Sequence, residues 1–173
     1  MSTKLDFRVL SDLSYGLYIV TSKDEDRLNG QIINTAIQVT AEPPRVAVII
    51  NKKNLTHEFI LKSGVFAVSV LDKSAPLKFF GPFGFRSGRE IDKLDGIHFK
   101  KGITGCPLLI EHCLSVMEAK VYDKIDLGTH TIFVGDVLTT EMLKQGTPLT
   151  YHFYREELKG KSSKNAPTFA PVK

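Results

Sequence analysis

Residues 29–57, NGQIINTAIQVTAEPPRVAVIINKKNLTH, hold the densest set of side chains able to grip a polar ligand. Gly30 opens the set, and Gln31, Asn34 and Thr35 follow with amide and hydroxyl groups. Pro43-Pro44 breaks the chain, an apolar run from Val46 to Ile50 comes next, and Lys52, Lys53, Asn54, Thr56 and His57 form a cationic polar corner. Amides and backbone groups can bond the edge of a flat polar ring. Charge, hydroxyls and a helix N-terminus favour a bound anion. The order suits a ligand with a ring at one end and a phosphate at the other. The plainer alternative is a β-hairpin followed by an exposed basic turn, and the residue types alone leave both open.

Other chemistry-bearing residues are more scattered. Thr21 and Ser22 stand at the expected end of a strand, where their hydroxyls can meet a ligand or simply close a turn before Lys23-Asp24. Arg86 and Ser87 lie in FGPFGFRSGREIDK beside glycines and three phenylalanines, and Arg86 and Arg89 read equally well as surface cations. His130 precedes a strand in GTHTIFVGDV. No Ser-His-Asp set, HExxH or Walker loop can be read, and the GxGxxG of a dinucleotide fold is missing. Cys106 and Cys113 are the only cysteines and lack metal-binding spacing, so two reduced thiols and no metal site are expected.

These residues need a scaffold. At 173 residues the chain is long enough for one domain with a sizeable core. Its 42% apolar and 24% charged content is ordinary for a soluble protein, and no apolar run approaches membrane-spanning length. The start, MSTKLDFRVL, lacks signal-peptide layout, so a cytoplasmic location is expected. The net charge of +4 owes much to Lys159, Lys161, Lys164 and Lys173. With no basic helix or aromatic-basic ladder, the charge suits a small anion or an acidic partner rather than nucleic acid. Strands are expected over 15–21, 45–51, 65–71, 112–122 and 130–140, with Phe66, Val68 and Val70 sharing a face. Many strands with few helices favour a closed barrel, which removes exposed edges. Short helices are expected over 56–63 (Asn54 or Thr56 as cap, Gly64 beyond the end), over 76–80 with Ser74 as cap, and from a Ser87–Glu90 capping box through Leu94. Beyond Glu157 the Lys, Ser, Asn and Pro content reads as a tail packed only in places.

Taken in order, YGLYIVTS at 15–22, GQIINT, NKKNLTH, FGFRSGREIDKLDG and GTHTIFVGDV resemble the flavin reductase-like family, especially the archaeal ferric reductases and the flavin domain of high-molecular-weight rubredoxins. The resemblance covers about residues 8 to 168. It implies a mainly β fold, an FMN-binding split β-barrel with short peripheral helices, over 1–157, followed by a basic tail at 158–173. It implies that Lys53, Asn54, Thr56 and His57 meet the FMN phosphate and ribityl chain, with Thr21 and Ser22 as further candidates. Gln31, Ile33, Asn34 and Thr35 would lie along the isoalloxazine; Ile33-Asn34-Thr35 replaces the Ala-Asn-Ser of many relatives, which points to a backbone or apolar contact at Ile33. Arg86 and Ser87 belong to a loop near the flavin, often contributed across a dimer interface, so a homodimer is implied. His130 would orient the nicotinamide, because hydride transfer needs a donor placed at roughly 3–3.5 Å rather than a protein base. The implied activity passes a hydride from NAD(P)H to FMN and electrons onward to a ferric chelate, free flavin or rubredoxin-like protein. The alternative is an FMN-containing, flavoredoxin-like electron carrier. The tail KGKSSKNAPTF resembles the linker preceding rubredoxin in two-domain relatives, without the rubredoxin cysteines after it.

Overall fold

A computed structural model describes residues 6–169, so Lys173 and the first five residues lie outside the described residues. A short 3-10 helix, Phe7–Asp12, leads into β1 (Tyr18–Asp24), β2 (Arg27–Ile33), β3 (Ala36–Ala41) and β4 (Pro44–Asn51). Helix α1 (Leu55–Ser63), β5 (Val65–Leu71) and α2 (Leu77–Phe85) follow. The small hairpin β6 (Phe99–Lys101) and β7 (Pro107–Leu109) precedes the two long strands β8 (Cys113–Asp126) and β9 (His130–Met142), and α3 (Tyr151–Glu156) ends the regular structure. Among the described residues no helix is long and apolar enough to cross a membrane.

Seven antiparallel strands form one sheet in the order β2-β1-β5-β8-β9-β4-β3. The outermost strands, β2 and β3, are separated in the chain only by Asn34 and Thr35. Three peptide steps reach about 11 Å at most, so the two ends of the sheet must meet at this corner. The sheet is thereby rolled into a split β-barrel, closed by a chain corner; among the described residues no β2–β3 ladder joins the edges. Its interior confirms the rolling. Val20, Ile33, Val48, Ile50, Phe66, Val68, Ala119 and Phe133, drawn from six strands, pack with Ile60 of α1 in one buried cluster. Burying a side chain the size of Phe66 or Phe133 contributes roughly 1.5–3 kcal/mol.

A second cluster covers the outer face of β1 and β5. Leu17, Ile19 and Leu71 meet Phe79, Phe80 and Phe83 of α2 and Tyr154 of α3. Both faces of β1 are therefore buried, which is why its hydrophobic alternation is blurred. Phe66 and Val68 face the barrel as the alternation predicts, while Val70 is half-buried.

Local expectations need correction in four places. Strand β1 runs from Tyr18 to Asp24, so Thr21 and Ser22 are mid-strand rather than at its end. The Gly30–Ile33 stretch is strand, paired with β1, because Thr21 sits opposite Gly30 and Tyr18 opposite Ile33. Ser74 does not cap α2: its N–H donates to Asp72 Oδ1, and Pro76 holds the N-cap position. Residues 87–94 form turns instead of a helix, since Ser87 Oγ accepts from the Arg89 N–H and Asp92 Oδ1 accepts from the Leu94 N–H. Such local side-chain bonds compete with the helix ladder. The α1 end behaves as read: Gly64 takes φ 69°, the left-handed turn a glycine C-cap permits.

Candidate functional site

A cavity of about 710 Å³ opens where β2, the start of α1, the end of α2, α3 and the C-terminal segment converge. That volume is in the range of small-molecule sites. Asn29, Gln31, Ile33 and Asn34 line it from β2 and its corner, and Lys53, Asn54 and Thr56 from the start of α1. Arg86, Ser87 and Lys93 come from the loop after α2, and Tyr151 and Tyr154 from α3. Residues 161–167 and Phe169 form a strap along the remaining side.

The α1 corner is built for an anion. Asn54 occupies the N-cap position without capping the helix through its side chain; its Oδ1 instead accepts a 2.8 Å bond from Asn165 Nδ2 of the strap. Thr56 is fully buried and its Oγ1 accepts from Asn29 Nδ2 at 2.8 Å, which leaves the Thr56 O–H free to donate. Gly88 is required beside this pair, because a Cβ there would fall 2.1 Å from Asn29 Oδ1. The Lys53 N–H donates to Asn51 Oδ1, tying the corner to the end of β4.

On the β2 side, Gln31 is 8% exposed and its Oε1 has no hydrogen-bond partner. A buried amide oxygen left unpaired is costly, and Gln31 is one of the residues that line the cavity. Asn34 donates to Thr168 Oγ1 of the strap at 2.9 Å. Five basic side chains line the cavity, namely Lys53, Arg86, Lys93, Lys161 and Lys164, and no aspartate or glutamate is among the lining residues. Burial pushes Lys93 down to about 8, so it still carries a proton at neutral pH.

The structure thus brings together Gln31, Ile33, Asn34, Lys53, Asn54, Thr56, Arg86 and Ser87 around one space, all within a single chain. Five other candidates do not line it. Thr21 donates to the Pro107 carbonyl at 2.6 Å and Ser22 to the Val65 carbonyl at 2.8 Å. Thr35 donates to the Ile49 carbonyl at 3.2 Å, holding the β2–β3 corner. His57 is a buried residue of α1, with Nε2 2.8 Å from Thr131 Oγ1; burial, aided by nearby Lys52, lowers its pKa. His130 stands just behind the rim, its Nε2 3.2 Å from the Asn165 carbonyl and 3.4 Å from Asn51 Nδ2, and both of those residues line the cavity.

Sequence reasoning passed over Asn29, Asn51, Lys93, the two tyrosines and the strap. Lys93 lay within the quoted FGFRSGREIDKLDG segment, but its charged neighbours read as surface. The cysteines are inert at rest: burial raises Cys106 to about 11 and Cys113 to about 12. Among the described residues no group of His, Cys, Asp or Glu is arranged to hold a metal ion.

The donor set suits an anionic ligand with a flat polar ring: the cations and the α1 N-terminus favour an anion, and the polar groups of β2 can bond a ring edge.

Comparison with known proteins agrees. The chain is 46% identical over 165 residues to the ferric-chelate reductase (NAD(P)H) of Archaeoglobus fulgidus, covering 95% of this chain and 98% of that one. It is 48% identical over 165 residues to the high molecular weight rubredoxin of Moorella thermoacetica, covering 95% of this chain and 72% of the relative. The crystal structure of the flavin reductase HpaC complexed with NADP+ superposes with a TM-score of 0.72 at 30% identity, over 83% of this chain and 89% of the other. Residues 10–158 match the model of the flavin reductase like domain, and the chain belongs to that family.

Proposed function

We propose that this protein is an NAD(P)H-dependent oxidoreductase of the flavin or ferric reductase type, with FMN as its flavin. Bound flavin would supply the step that takes a hydride from a nicotinamide and releases electrons singly or in pairs to an acceptor. Residues 1–157 form the flavin domain in this reading, and 158–173 a basic tail. The observation that carries it is the charge asymmetry of the cavity: five cations and no carboxylate around a buried, unpaired Gln31 oxygen.

Lys53, the first-turn N–H groups of α1 and the Thr56 hydroxyl hold the phosphate, with Asn54 beside them. Gln31, Ile33 and Asn34 follow the ring edge, and Arg86 and Ser87 close the opposite side. Thr21, Ser22, Thr35 and His57 act through the scaffold, since their side chains are engaged within it. His130 orients the nicotinamide from the rim. The acceptor is a ferric chelate, a free flavin or a rubredoxin-like protein, and the protein works as a cytoplasmic homodimer.

Chromatography of the cofactor released from purified or reconstituted protein tests the reading. FMN is expected, and FAD alone or no flavin would overturn it. The similarity to a high molecular weight rubredoxin favours a second reading, an electron carrier that oxidises nicotinamide poorly. Steady-state NADH and NADPH oxidation with ferric chelate, flavin and rubredoxin as acceptors separates the two.

A further inference from the structure

Of the five cations lining the cavity, four are exposed and one, Lys93, is buried at 7% exposure. Its Nζ donates to the Gly30 carbonyl at 3.0 Å, and among the described residues no carboxylate pairs with it. Taking an ammonium out of water without a counter-charge is expensive. Burial lowers its pKa only to about 8, so the charge persists in the site. Such an arrangement is expected where a ligand brings the missing negative charge.

A bound FMN has two groups that can carry negative charge, its phosphate and, once reduced, its ring. The phosphate belongs to the α1 corner, where the exposed Lys53 and the α1 N-terminus already supply positive charge, so a buried lysine adds little there. Gly30 lies on β2 next to Gln31, the ring wall. Hydride donation moves two electrons and one proton from the dihydronicotinamide to the ring; the nicotinamide leaves oxidised, and the previously neutral ring keeps one negative charge.

Building on the flavin reading above, we propose that Lys93 is the counter-charge of the reduced flavin ring, held against the Gly30 carbonyl so that the site favours the anionic form over the oxidised one. The role is electrostatic positioning of charge beside the ring, with no proton transferred by Lys93.

The test uses FMN-loaded protein and three variants. Lys93→Met removes charge and donor, Lys93→Gln keeps a donor for Gly30 but removes the charge, and Lys93→Arg keeps the charge. Loss of the charge should lower the preference for reduced over oxidised FMN roughly 10- to 100-fold, for a charge pair several ångströms apart at intermediate polarity. At about 30 mV per tenfold for a two-electron couple, the midpoint potential falls by about 30–60 mV. Sulfite, which adds to the oxidised ring and leaves it anionic, should bind correspondingly more weakly. Lys93→Arg should stay close to wild type in both readouts. A Lys93→Gln protein with wild-type potential and sulfite affinity would overturn the proposal, since the donor alone would then matter. So would a variant that loses FMN affinity but binds riboflavin as wild type does, which would make Lys93 a phosphate ligand. If Lys93→Met fails to fold, the Gln and Arg pair decides. Failure of the underlying flavin reading looks different: wild-type protein would take up no flavin at all.

Discussion

Two sides of the cavity are held together by different physics. The wall of β2 and α1 is fastened by bonds within the scaffold: Asn29 to Thr56, His57 to Thr131, Thr35 to the Ile49 carbonyl and Lys93 to the Gly30 carbonyl are all buried or partly buried. The strap facing it is held at its start by Tyr151, Tyr154 and Arg155 of α3, and further along by the site's own ligand-binding groups. Asn165 takes the Asn54 side chain, Thr168 takes Asn34, and the Asn165 carbonyl meets His130. Bonds sheltered within the scaffold survive ligand exchange. Those of the strap use the groups that a ligand would claim, so one set can replace the other at little net cost. The wall is a preformed template; the strap is an exchangeable roof.

The largest expected effect comes from breaking the template. Lys53→Ala combined with Thr56→Ala removes a charge and a hydroxyl from the phosphate corner and strands the Asn29 donor. FMN binding should weaken by about 2–4 kcal/mol, roughly 30- to 1000-fold in dissociation constant by fluorescence titration. Unchanged affinity would take the corner out of the site. His130→Ala should slow flavin reduction by NAD(P)H on the order of 10- to 100-fold in stopped-flow absorbance, while reduction by dithionite stays unchanged. Because His130 Nε2 also meets the strap, equal slowing by both reductants would assign it to holding the roof instead.

The same contrast explains what the sequence disclosed. Elements held by local patterns were legible: the apolar alternation of VFAVSVL marks β5 with its observed limits, and Gly64 marks the end of α1. Polar residues that are neighbours in the chain line one space, as Lys53, Asn54 and Thr56 show. Features made by distant partners stayed hidden. Lys93 in a charged run gives no sign that its ammonium meets a carbonyl 63 residues earlier. Helix α3 depends on Thr150 Oγ1 accepting from the Phe153 N–H and on Tyr154 reaching the second core, neither of which its aromatic composition announces. The strap has tail-like composition because it contributes polar contacts and little apolar surface. The Ser87 capping-box pattern misled for the converse reason: its side chain closed a turn on Arg89 before a helix could begin.

A smaller effect is expected on the roof. Asn165→Ala removes the bond to Asn54, worth about 1 kcal/mol for a partly exposed hydrogen bond. Because a bound ligand claims the same Asn54 group, losing this competing bond should tighten FMN binding, by up to roughly 5-fold in dissociation constant by fluorescence titration. The flavin-free protein should lose no more than about 1 kcal/mol of thermal stability, the worth of that one bond. A loss of affinity matching that of the corner double variant would erase the distinction between template and roof.

The smallest effect probes how the template is anchored. His57 is 4% exposed, packs its ring 5.2 Å from that of Phe133, and bonds Thr131 on β9. Burial, with Lys52 next in weight, lowers its pKa below the usual 6.5. The unfolded chain therefore binds a proton at this position more readily than the folded one. Between the folded and unfolded pKa values the unfolded state holds more protons, so stability rises with pH there. The stabilisation of neutral His57 is complete above about 6.5 and declines as pH falls below it, levelling off once the folded pKa is passed. Replacing His57 with Gln keeps a polar group toward Thr131 but cannot be charged. Denaturant midpoints measured from pH 7.5 to 5 should then fall less steeply than in wild type, although the variant is less stable at neutral pH through lost packing on Phe133. A parallel decline in both proteins would show that acid loosens the site elsewhere, and that α1 is not anchored through this ring.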